Sequence, residues 1–224
     1  MSKILLIETA TKVCSIGISV NGKLVSIREN HEQKSCSSVI TILIDEVLKE
    51  SNVKINDLSA VAVSCGPGSY TGLRIGISTA KGICYGLDIP LISLNTLELL
   101  ANGFKNCLDN ALLCPMIDAR RNEAYIALYN IHLGQITAPR PEVLNENSFE
   151  ELLTKNPIYF FGDGALKFKR ILKSHKNAIF EGPDYPSSAF MANLAEKKFK
   201  LNQFEDIAYF EPTYLKEYKG IKPL

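Results

Sequence analysis

The stretch Ser64-Cys65-Gly66-Pro67-Gly68-Ser69-Tyr70-Thr71-Gly72-Leu73-Arg74-Ile75-Gly76 decides the fold of this chain. The apolar run that leads into it, Leu58 to Ser64, has the length of a buried strand. The segment that follows, Thr71 to Gly86, has the length of a helix, and Ser69 or Thr71 can serve as its N-cap. The sequence therefore predicts a strand, a glycine turn and a helix in direct succession.

The glycine turn has two interpretations that the residues leave open. Gly66 and Gly68 permit positive φ angles and close backbone approach, and the free N–H groups at a helix start can bind an anion. No lysine follows Gly72, however, so the phosphate-loop pattern Gly-x-x-x-x-Gly-Lys-Ser/Thr is missing. A phosphate cradle is compatible with the residues, but a plain tight turn is favoured because most glycine-rich turns serve backbone geometry.

Small residues line one side of the predicted helix, since Gly72, Gly76, Ala80 and Cys84 recur every four positions. A glycine inside a helix costs roughly 0.5–1 kcal/mol relative to alanine, so close packing against a neighbour must offset that cost. The pattern predicts contact with another helix. Spacing alone does not say whether that helix belongs to the same chain.

The remaining segments predict an α/β protein with a mixed sheet flanked by helices. The Asn21-Gly22 pair is a strong hairpin signal, and the strands around it are expected to open the fold as three antiparallel strands. The other expected strands are Leu58–Ser64, Ile89–Ile92, Leu112–Ile117, Ala124–Tyr129 and Ile158–Phe161. The expected helices are Ser35–Glu50, Thr71–Gly86, Asn95–Gly103, Ala165–Lys173 and Ser188–Leu201, with a loop from Pro139 to Ser148 and a frayed end from Lys216 to Leu224.

Composition narrows the class of protein. The 25 basic and 24 acidic side chains nearly balance, so the net charge indicates no broad nucleic-acid footprint. The six cysteines form no Cys-x-x-Cys pair, Met1-Ser2-Lys3 begins no cleavable signal, and no apolar run approaches the length of a membrane span. These features predict a cytoplasmic protein with free, reduced thiols. The three scattered histidines predict no metal site.

Two polar segments are candidates for chemistry. Glu8-Thr9-Ala10-Thr11 ends the first strand, where a carboxylate and hydroxyls can hold a magnesium-bound phosphate, although an exposed glutamate at a strand end is common. The second segment contains Asp118, Arg120, Arg121 and Glu123, which suit either acid–base work with a phosphate clamp or a polar turn with surface ion pairs. The residues predict no catalytic set.

Four motifs, in this order and spacing, closely resemble the TsaB family, also called YeaZ, and they span most of the chain. They are Ile4-Leu5-Leu6-Ile7-Glu8-Thr9, Gly66 to Gly76 as quoted above, Asp118-Ala119-Arg120-Arg121-Asn122-Glu123-Ala124-Tyr125, and Glu211-Pro212-Thr213-Tyr214-Leu215. The resemblance implies an actin-like, Hsp70-like ATPase fold with two ribonuclease H-like halves, the second reduced. We therefore expect an N-terminal subdomain of residues 1–104 and a reduced C-terminal subdomain of residues 105–224.

The family resemblance implies a non-catalytic scaffold subunit in the synthesis of threonylcarbamoyladenosine on tRNAs that read ANN codons. The implied partners are the TsaD-type catalytic paralogue and the TsaE-type ATPase, with tRNA reached only through the complex and a homodimer as an alternative when the chain is alone. No intrinsic cofactor is implied, although a nucleotide at the partner interface is compatible with the family. A small-molecule kinase or ATPase of the same superfamily, and a metallopeptidase-like enzyme, stand as alternatives.

The resemblance also implies site residues. The helices corresponding to Ser35–Glu50 and Thr71–Gly86 pack against the paralogue in the family, so Gly76→Leu is expected to break a heterodimer and leave the monomer folded. The implied partner-binding residues are Cys36, Val39, Ile40, Leu43, Val47, Gly72, Ile75, Gly76, Thr79 and Ile83. The implied nucleotide or phosphate contacts are Glu8, Thr9, Thr11, Gly66, Gly68 and Ser69.

Two positions depart from the family pattern. Glu8 stands where the family usually has aspartate, and Cys36 stands where members often carry a histidine. The His-x-x-x-His pair of the catalytic paralogue has no match in this chain. Both departures fit a subunit that supports catalysis without performing it.

Overall fold

A computed structural model describes residues 1–32, 36–105, 107–143, 145–172 and 175–216. Within these residues the chain forms two five-stranded sheets. The start of the first predicted helix at Ser35, the end of another at Lys173, and nearly all of the expected frayed C-terminus lie outside the described residues. No helix in the described ranges is both long and apolar enough to cross a membrane.

The first sheet has the strand order β3-β2-β1-β4-β5. Its strands are β1 Lys3–Glu8, β2 Cys14–Val20, β3 Lys23–Asn30, β4 Ala60–Gly66 and β5 Leu91–Asn95. The first three are antiparallel, and β4 and β5 run parallel to β1, which confirms the predicted meander followed by crossovers. Asn21 and Gly22 both have positive φ angles of 48° and 77°, as the hairpin signal requires.

Helices cover both faces of this sheet. Helices α1 (Cys36–Glu50) and α2 (Tyr70–Leu87) pack on one face, where Ile40, Ile44, Val47, Ile77 and Ala80 meet the sheet in a continuous apolar core. Helix α3 (Thr96–Asn102) begins at Asn95, whose side chain caps the free N–H groups of Leu97 and Glu98. Helix α3 contacts both sheets and so joins the two halves.

The second sheet repeats the topology of the first, with the order β8-β7-β6-β9-β10. Its strands are β6 Leu112–Asp118, β7 Glu123–Asn130, β8 Gln135–Val143, β9 Ile158–Phe161 and β10 Ala178–Ile179. Helices α4 (Glu150–Lys155) and α5 (Ala165–Leu172) belong to this half and are shorter than α1 and α2. Two mixed sheets of matching order, flanked by helices, are the actin-like ATPase fold.

The second half contains three elements that the sequence did not predict, which are β8, α4 and the two-residue strand β10. Strand β8 includes Pro139 and Pro141, which were expected in a loop. Proline is tolerated there because β8 lies at the edge of the sheet, where one side of the strand needs no ladder partner. Helix α4 was not predicted, since its six residues are too few to show a helical period.

The C-terminal helix returns to the first sheet. The predicted helix Ser188–Leu201 is a 3₁₀ turn at Ser188–Phe190 followed by α6, Ala192–Lys200. Met191, Ala192 and Ala195 pack against the face of the first sheet opposite α1 and α2. The expected division of the chain near residue 104 stays a prediction, but α6 and the segment from Glu205 to Phe210 pack with the first half.

Candidate functional site

The glycine turn connects β4 to α2 through hydrogen bonds to the chain itself. The Ser69 N–H donates to the carbonyl oxygen of Ala10 at 2.6 Å, and Ser69 Oγ accepts the N–H of Gly72 at 3.2 Å. Ser69 is therefore the N-cap of α2, as predicted. Gly66 has a φ of +112°, which a residue with a side chain rarely adopts.

The glycines of the turn allow neighbouring backbone to approach closely. A Cβ atom on Gly68 would overlap the carbonyl oxygen of Ala10, and one on Gly72 would overlap that of Thr9. The segment that follows β1 thus packs directly against the turn, which supports the tight-turn interpretation. Gly68 also lines a cleft between the two halves, and phosphate contacts at Gly66 and Gly68 stay predictions.

A C-terminal strap, residues 205–216, covers the other side of the turn. The Thr213 N–H donates to the carbonyl oxygen of Cys65 at 2.8 Å, and the carbonyl oxygen of Thr213 lies 2.7 Å from a Cβ built on Gly66. The Tyr214 ring packs 5.1 Å from the Tyr70 ring. The motif Glu211 to Leu215 therefore has a physical role, which is to close the glycine turn from outside.

Glu8 and Thr9 are unavailable to a ligand in this arrangement. Glu8 is fully buried, and its Oε1 accepts the N–H of Ala10 at 2.5 Å. Burial raises the pKa of Glu8 to about 7, against the lowering effect of the backbone hydrogen bond. Thr9 is 1% exposed, and its Oγ1 donates to the carbonyl oxygen of Gly72 at 2.8 Å. A nucleotide contact by either residue would need this segment to rearrange, and that role stays a prediction.

Thr11 and Ser69 do line a cleft, of about 460 Å³, between the two halves. Its other polar and aromatic lining includes Lys12, Tyr70, Asp118, Arg120, Tyr125, Asp163, Tyr214 and Lys216. This cleft brings together the end of β1, the glycine turn and the turn between β6 and β7. A nucleotide contact by Thr11 and Ser69 stays a prediction.

The turn after β6 is a strained hairpin tip. Arg120 and Arg121 both have positive φ angles, 65° and 53°. Asp118 Oδ1 accepts the Arg120 N–H at 2.6 Å and pairs with Lys167, while Glu123 pairs with Lys216. Both carboxylates of this turn, Asp118 and Glu123, thus have a lysine as ion-pair partner. This arrangement favours the interpretation of the segment as a polar turn.

Half of the expected partner-binding residues face the chain's own core. Gly72, Gly76, Ile40, Leu43 and Val47 are all buried. The small-residue side of α2 meets the segment after β1, because a Cβ on Gly76 would overlap Thr9 Oγ1. These five residues offer little area to another chain in this conformation, and their assignment as partner contacts stays a prediction.

The other expected partner contacts are partly exposed. They are Cys36, Val39, Ile75, Thr79 and Ile83. Thr79 and Ile83 line a largely apolar groove of about 760 Å³ between α1, α2 and the 3₁₀ turn Ile55–Asp57. The α1 side of the groove is formed by residues such as Ile44 and Leu48.

Sequence reasoning missed several exposed apolar residues on the elements that form this groove. Ile55 is 42% exposed and lines it, Ile42 on α1 is 56% exposed, and Tyr85 on α2 is 85% exposed. The available signal was the position of Ile42 on the charged side of the predicted helix. A single exposed apolar residue is common on protein surfaces, so this position alone does not identify a contact.

Cys14 and Cys36 form a disulfide, with Cα atoms 5.6 Å apart. This corrects the expectation that all thiols are free. The sequence did not indicate this pairing because the two cysteines are 22 positions apart. They meet because the β2–β3 hairpin returns the chain to the start of β2, where Cys14 lies opposite Asn30. The other four cysteines, Cys65, Cys84, Cys107 and Cys114, are free.

A family model described as "TsaD: tRNA N6-adenosine threonylcarbamoyltransferase" matches residues 29–220. The chain is 33% identical to the tRNA threonylcarbamoyladenosine biosynthesis protein TsaB of Escherichia coli K12, over 99% of this chain and 98% of that protein. The protein of the same name from Buchnera aphidicola subsp. Baizongia pistaciae is 30% identical over 97% of this chain and 99% of its own length.

Among solved structures, a Pseudomonas aeruginosa protein described as similar to peptidase YEAZ matches with a TM-score of 0.83 and 19% identity. The match covers 96% of this chain and all of that one. At 19% identity this similarity supports a shared fold and nothing further.

Proposed function

Because the chain belongs to the TsaB family of tRNA threonylcarbamoyladenosine biosynthesis proteins, we propose that it is the non-catalytic scaffold subunit that binds and activates a TsaD-type threonylcarbamoyltransferase. The chain matches the family model named for that enzyme over residues 29–220. The expected partner therefore shares its fold and presents equivalent helices. In this proposal the chain contributes binding surface and no catalytic residue.

The observation that carries the proposal is the apolar groove between α1 and α2. Its lining includes Ile44, Leu48, Val53, Ile55 and Ile83, which gives a partner helix apolar area to bury. Burial contributes about 25 cal/mol per Å² and is opposed by the entropy of association. Asp45, Lys49 and Lys54 lie among the lining residues as well and provide polar contacts for register.

The kinase or ATPase alternative has less support, because the glycine turn that would cradle phosphates is filled by Thr9, Ala10 and Thr213. A nucleotide at a partner interface is part of the proposal, and its expected contacts Thr11, Gly68 and Ser69 line the cleft between the two halves, which is separate from the groove between α1 and α2. The TsaE-type ATPase, contact with tRNA through the complex alone, a homodimer of the free chain and a cytoplasmic location belong to the same proposal.

The test replaces Thr79 by arginine. Thr79 is partly exposed and its side chain donates to the Ile75 carbonyl oxygen within α2, so a long cation at this position fills the groove and leaves the core unchanged. We expect Thr79→Arg to weaken binding of the purified paralogue at least about tenfold, which corresponds to 1.4 kcal/mol. Titration calorimetry measures the affinity.

The matched control is Leu166→Glu, at a residue that is 68% exposed on α5 in the other half. In cells depleted of the wild-type chain, mass spectrometry of tRNA nucleosides should show loss of threonylcarbamoyladenosine. Wild type and Leu166→Glu restore it and Thr79→Arg does not. If Thr79→Arg fully restores threonylcarbamoyladenosine, the partner does not bind at this groove. If depletion of the chain leaves the level of threonylcarbamoyladenosine unchanged, the scaffold proposal is wrong.

A further inference from the structure

The Cys14–Cys36 disulfide joins the first residue of β2 to the first residue of α1. The two sulfur atoms have different surroundings. Cys14 is 2% exposed and lies within the core between the first sheet and α1, whereas Cys36 is partly exposed. A reagent from solution therefore reaches the bond at Cys36.

The position of Cys36 also favours reaction at its sulfur. The N-terminus of a helix stabilises negative charge, and cysteines placed there have a lowered thiolate pKa. Helix α1 has 15 residues with Cys36 as the first. A stabilised Cys36 thiolate is the better leaving group when a second thiol cleaves the mixed disulfide at Cys36, and it is the more populated nucleophile when the bond reforms.

The bond attaches the part of α1 that has the least burial. The buried residues of α1 begin at Ile40 and continue through Leu43, Ile44 and Val47. Ser37 and Ser38 are exposed. The covalent link therefore adds a connection to a first turn in which Cys36 and Val39 pack only at the margin of the core, while fully buried residues anchor the rest of the helix.

We propose that Cys14 and Cys36 form a reversible thiol–disulfide switch that sets how firmly the first turn of α1 is attached to β2. In the oxidising direction the Cys36 thiolate attacks a low-molecular-weight disulfide such as oxidised glutathione, forming a mixed disulfide and releasing one glutathione thiolate. The Cys14 thiolate then attacks the Cys36 sulfur and releases the second glutathione. Two protein thiols are oxidised and one glutathione disulfide is reduced to two thiols, and reduction reverses both steps.

The test equilibrates the full chain in buffers of varied ratio of reduced to oxidised glutathione, then quenches with acid and alkylates under denaturing conditions. Mass spectrometry should count four labelled thiols in the oxidised form and six in the reduced form. Cys36→Ser should give the same count in every buffer. Cys107→Ser, which removes a free and partly exposed cysteine, should lose one label at every point and keep the transition.

Hydrogen exchange supplies the structural readout. In the reduced wild type and in Cys36→Ser, we expect amides of the first turn of α1 to exchange about tenfold faster than in the oxidised wild type, with the amides around Val47 unchanged. Six labels in every buffer, four labels even in excess reductant, or equal exchange in both states would each overturn the switch.

A final measurement rests on the proposed function, because α1 forms one side of the proposed partner groove. The affinity for the purified paralogue is compared between oxidised and reduced wild type, and we expect a difference that Cys36→Ser abolishes. If the paralogue binds neither the oxidised nor the reduced chain, the proposed function is contradicted. The thiol–disulfide switch is then judged by the labelling and hydrogen-exchange results alone. Equal binding in both states would confine the switch to helix attachment.

Discussion

The Cα of Gly76 lies directly against the side chain of Thr9, so that a Cβ at position 76 would overlap Thr9 Oγ1. Thr9 cannot easily move away, because its hydroxyl donates a 2.8 Å hydrogen bond to the Gly72 carbonyl oxygen. The glycines of α2 thus fit the helix against the segment after β1. The expectation that Gly76→Leu breaks a heterodimer and leaves the monomer folded stays a prediction. Because a leucine here overlaps Thr9 in the chain's own core, loss of binding by this variant would not separate a lost interface from a disturbed fold.

Gly76→Ala should lower the free energy of unfolding by about 1–3 kcal/mol, because the added methyl group must displace Thr9 or the helix. Urea denaturation measures the change. Gly82→Ala is the matched control in the same helix, since a Cβ there meets nothing within 4 Å. It should raise stability by about 0.5–1 kcal/mol through helix propensity. Equal effects of the two substitutions would contradict the packing argument.

Tyr214→Ala should loosen the C-terminal strap. The Tyr214 ring stacks near Tyr70, and its hydroxyl accepts a hydrogen bond from Arg74 Nε at 3.0 Å. We expect a loss of about 0.5–1.5 kcal/mol in unfolding free energy and faster proteolysis of the strap. Tyr209→Ala removes a ring of the same strap that is 84% exposed, and its effect should stay within about 0.5 kcal/mol. Resistance of Tyr214→Ala to proteolysis at the wild-type level would show that the backbone contacts alone hold the strap.

Glu8→Gln should stabilise the protein in a pH-dependent way. The folded carboxyl has a pKa of about 7 against an ordinary value of 4.5, so the folded state retains a proton that the unfolded state loses between these values. The wild-type unfolding free energy therefore falls as pH rises from about 4.5 to about 7. The gain from Glu8→Gln should be near zero at the lower pH and about 3 kcal/mol above pH 7.

Denaturation of both proteins at pH 5 and pH 8 measures this difference. Glu151→Gln, at a side chain that is 89% exposed, serves as the control and should change stability by less than about 0.5 kcal/mol at either pH. A Glu8→Gln gain that does not vary with pH would mean that burial has not raised the pKa of the Glu8 carboxyl.

Arg121→Gly should raise stability by about 1 kcal/mol. Arg121 has a φ of 53°, which costs a residue with a side chain about that amount and costs glycine nothing. Its carbonyl oxygen, which accepts a hydrogen bond from Lys167, is kept in the variant. Asn122→Gly in the same turn should instead lose about 0.5–1 kcal/mol, since Asn122 is not among the residues with positive φ. Thermal unfolding of the two variants shows whether each substitution raises or lowers the stability.

The local elements of the first half follow from short-range signals. The Asn21-Gly22 hairpin and the Ser69 cap each depend on backbone geometry within a few residues, and both are confirmed. Strand β2 forms as expected, but it is buried on both faces because helices cover both sides of the sheet. In the second half, β8 was not predicted because its two prolines are more typical of a loop than of a strand. Helix α4 was missed because one and a half turns carry too little periodicity.

The site was harder to predict because its contacts join distant parts of the chain. Small residues at spacing four showed that one side of α2 packs closely, but the neighbour is a turn that follows β1, and Thr9 and Gly72 are 63 positions apart. The periodicity of a helix marks its apolar side without saying what covers it. The partly exposed residues Thr79 and Ile83 were identified, whereas Ile42 and Ile55 were found only from their exposure.

The sequence by itself determined the strand, turn and helix around Gly66 to Gly76, the α/β class and the family, because φ restrictions, capping and periodicity are encoded within a few neighbouring residues. Only the tertiary structure decided that the strap closes the glycine turn, since Arg74 and Tyr214 meet across 140 positions. It also decided that Cys14 reaches Cys36 and that Glu8 is sealed from solvent. These contacts depend on how the helices and sheets pack against one another. A local sequence pattern does not specify which residues from a distant part of the chain will pack against it.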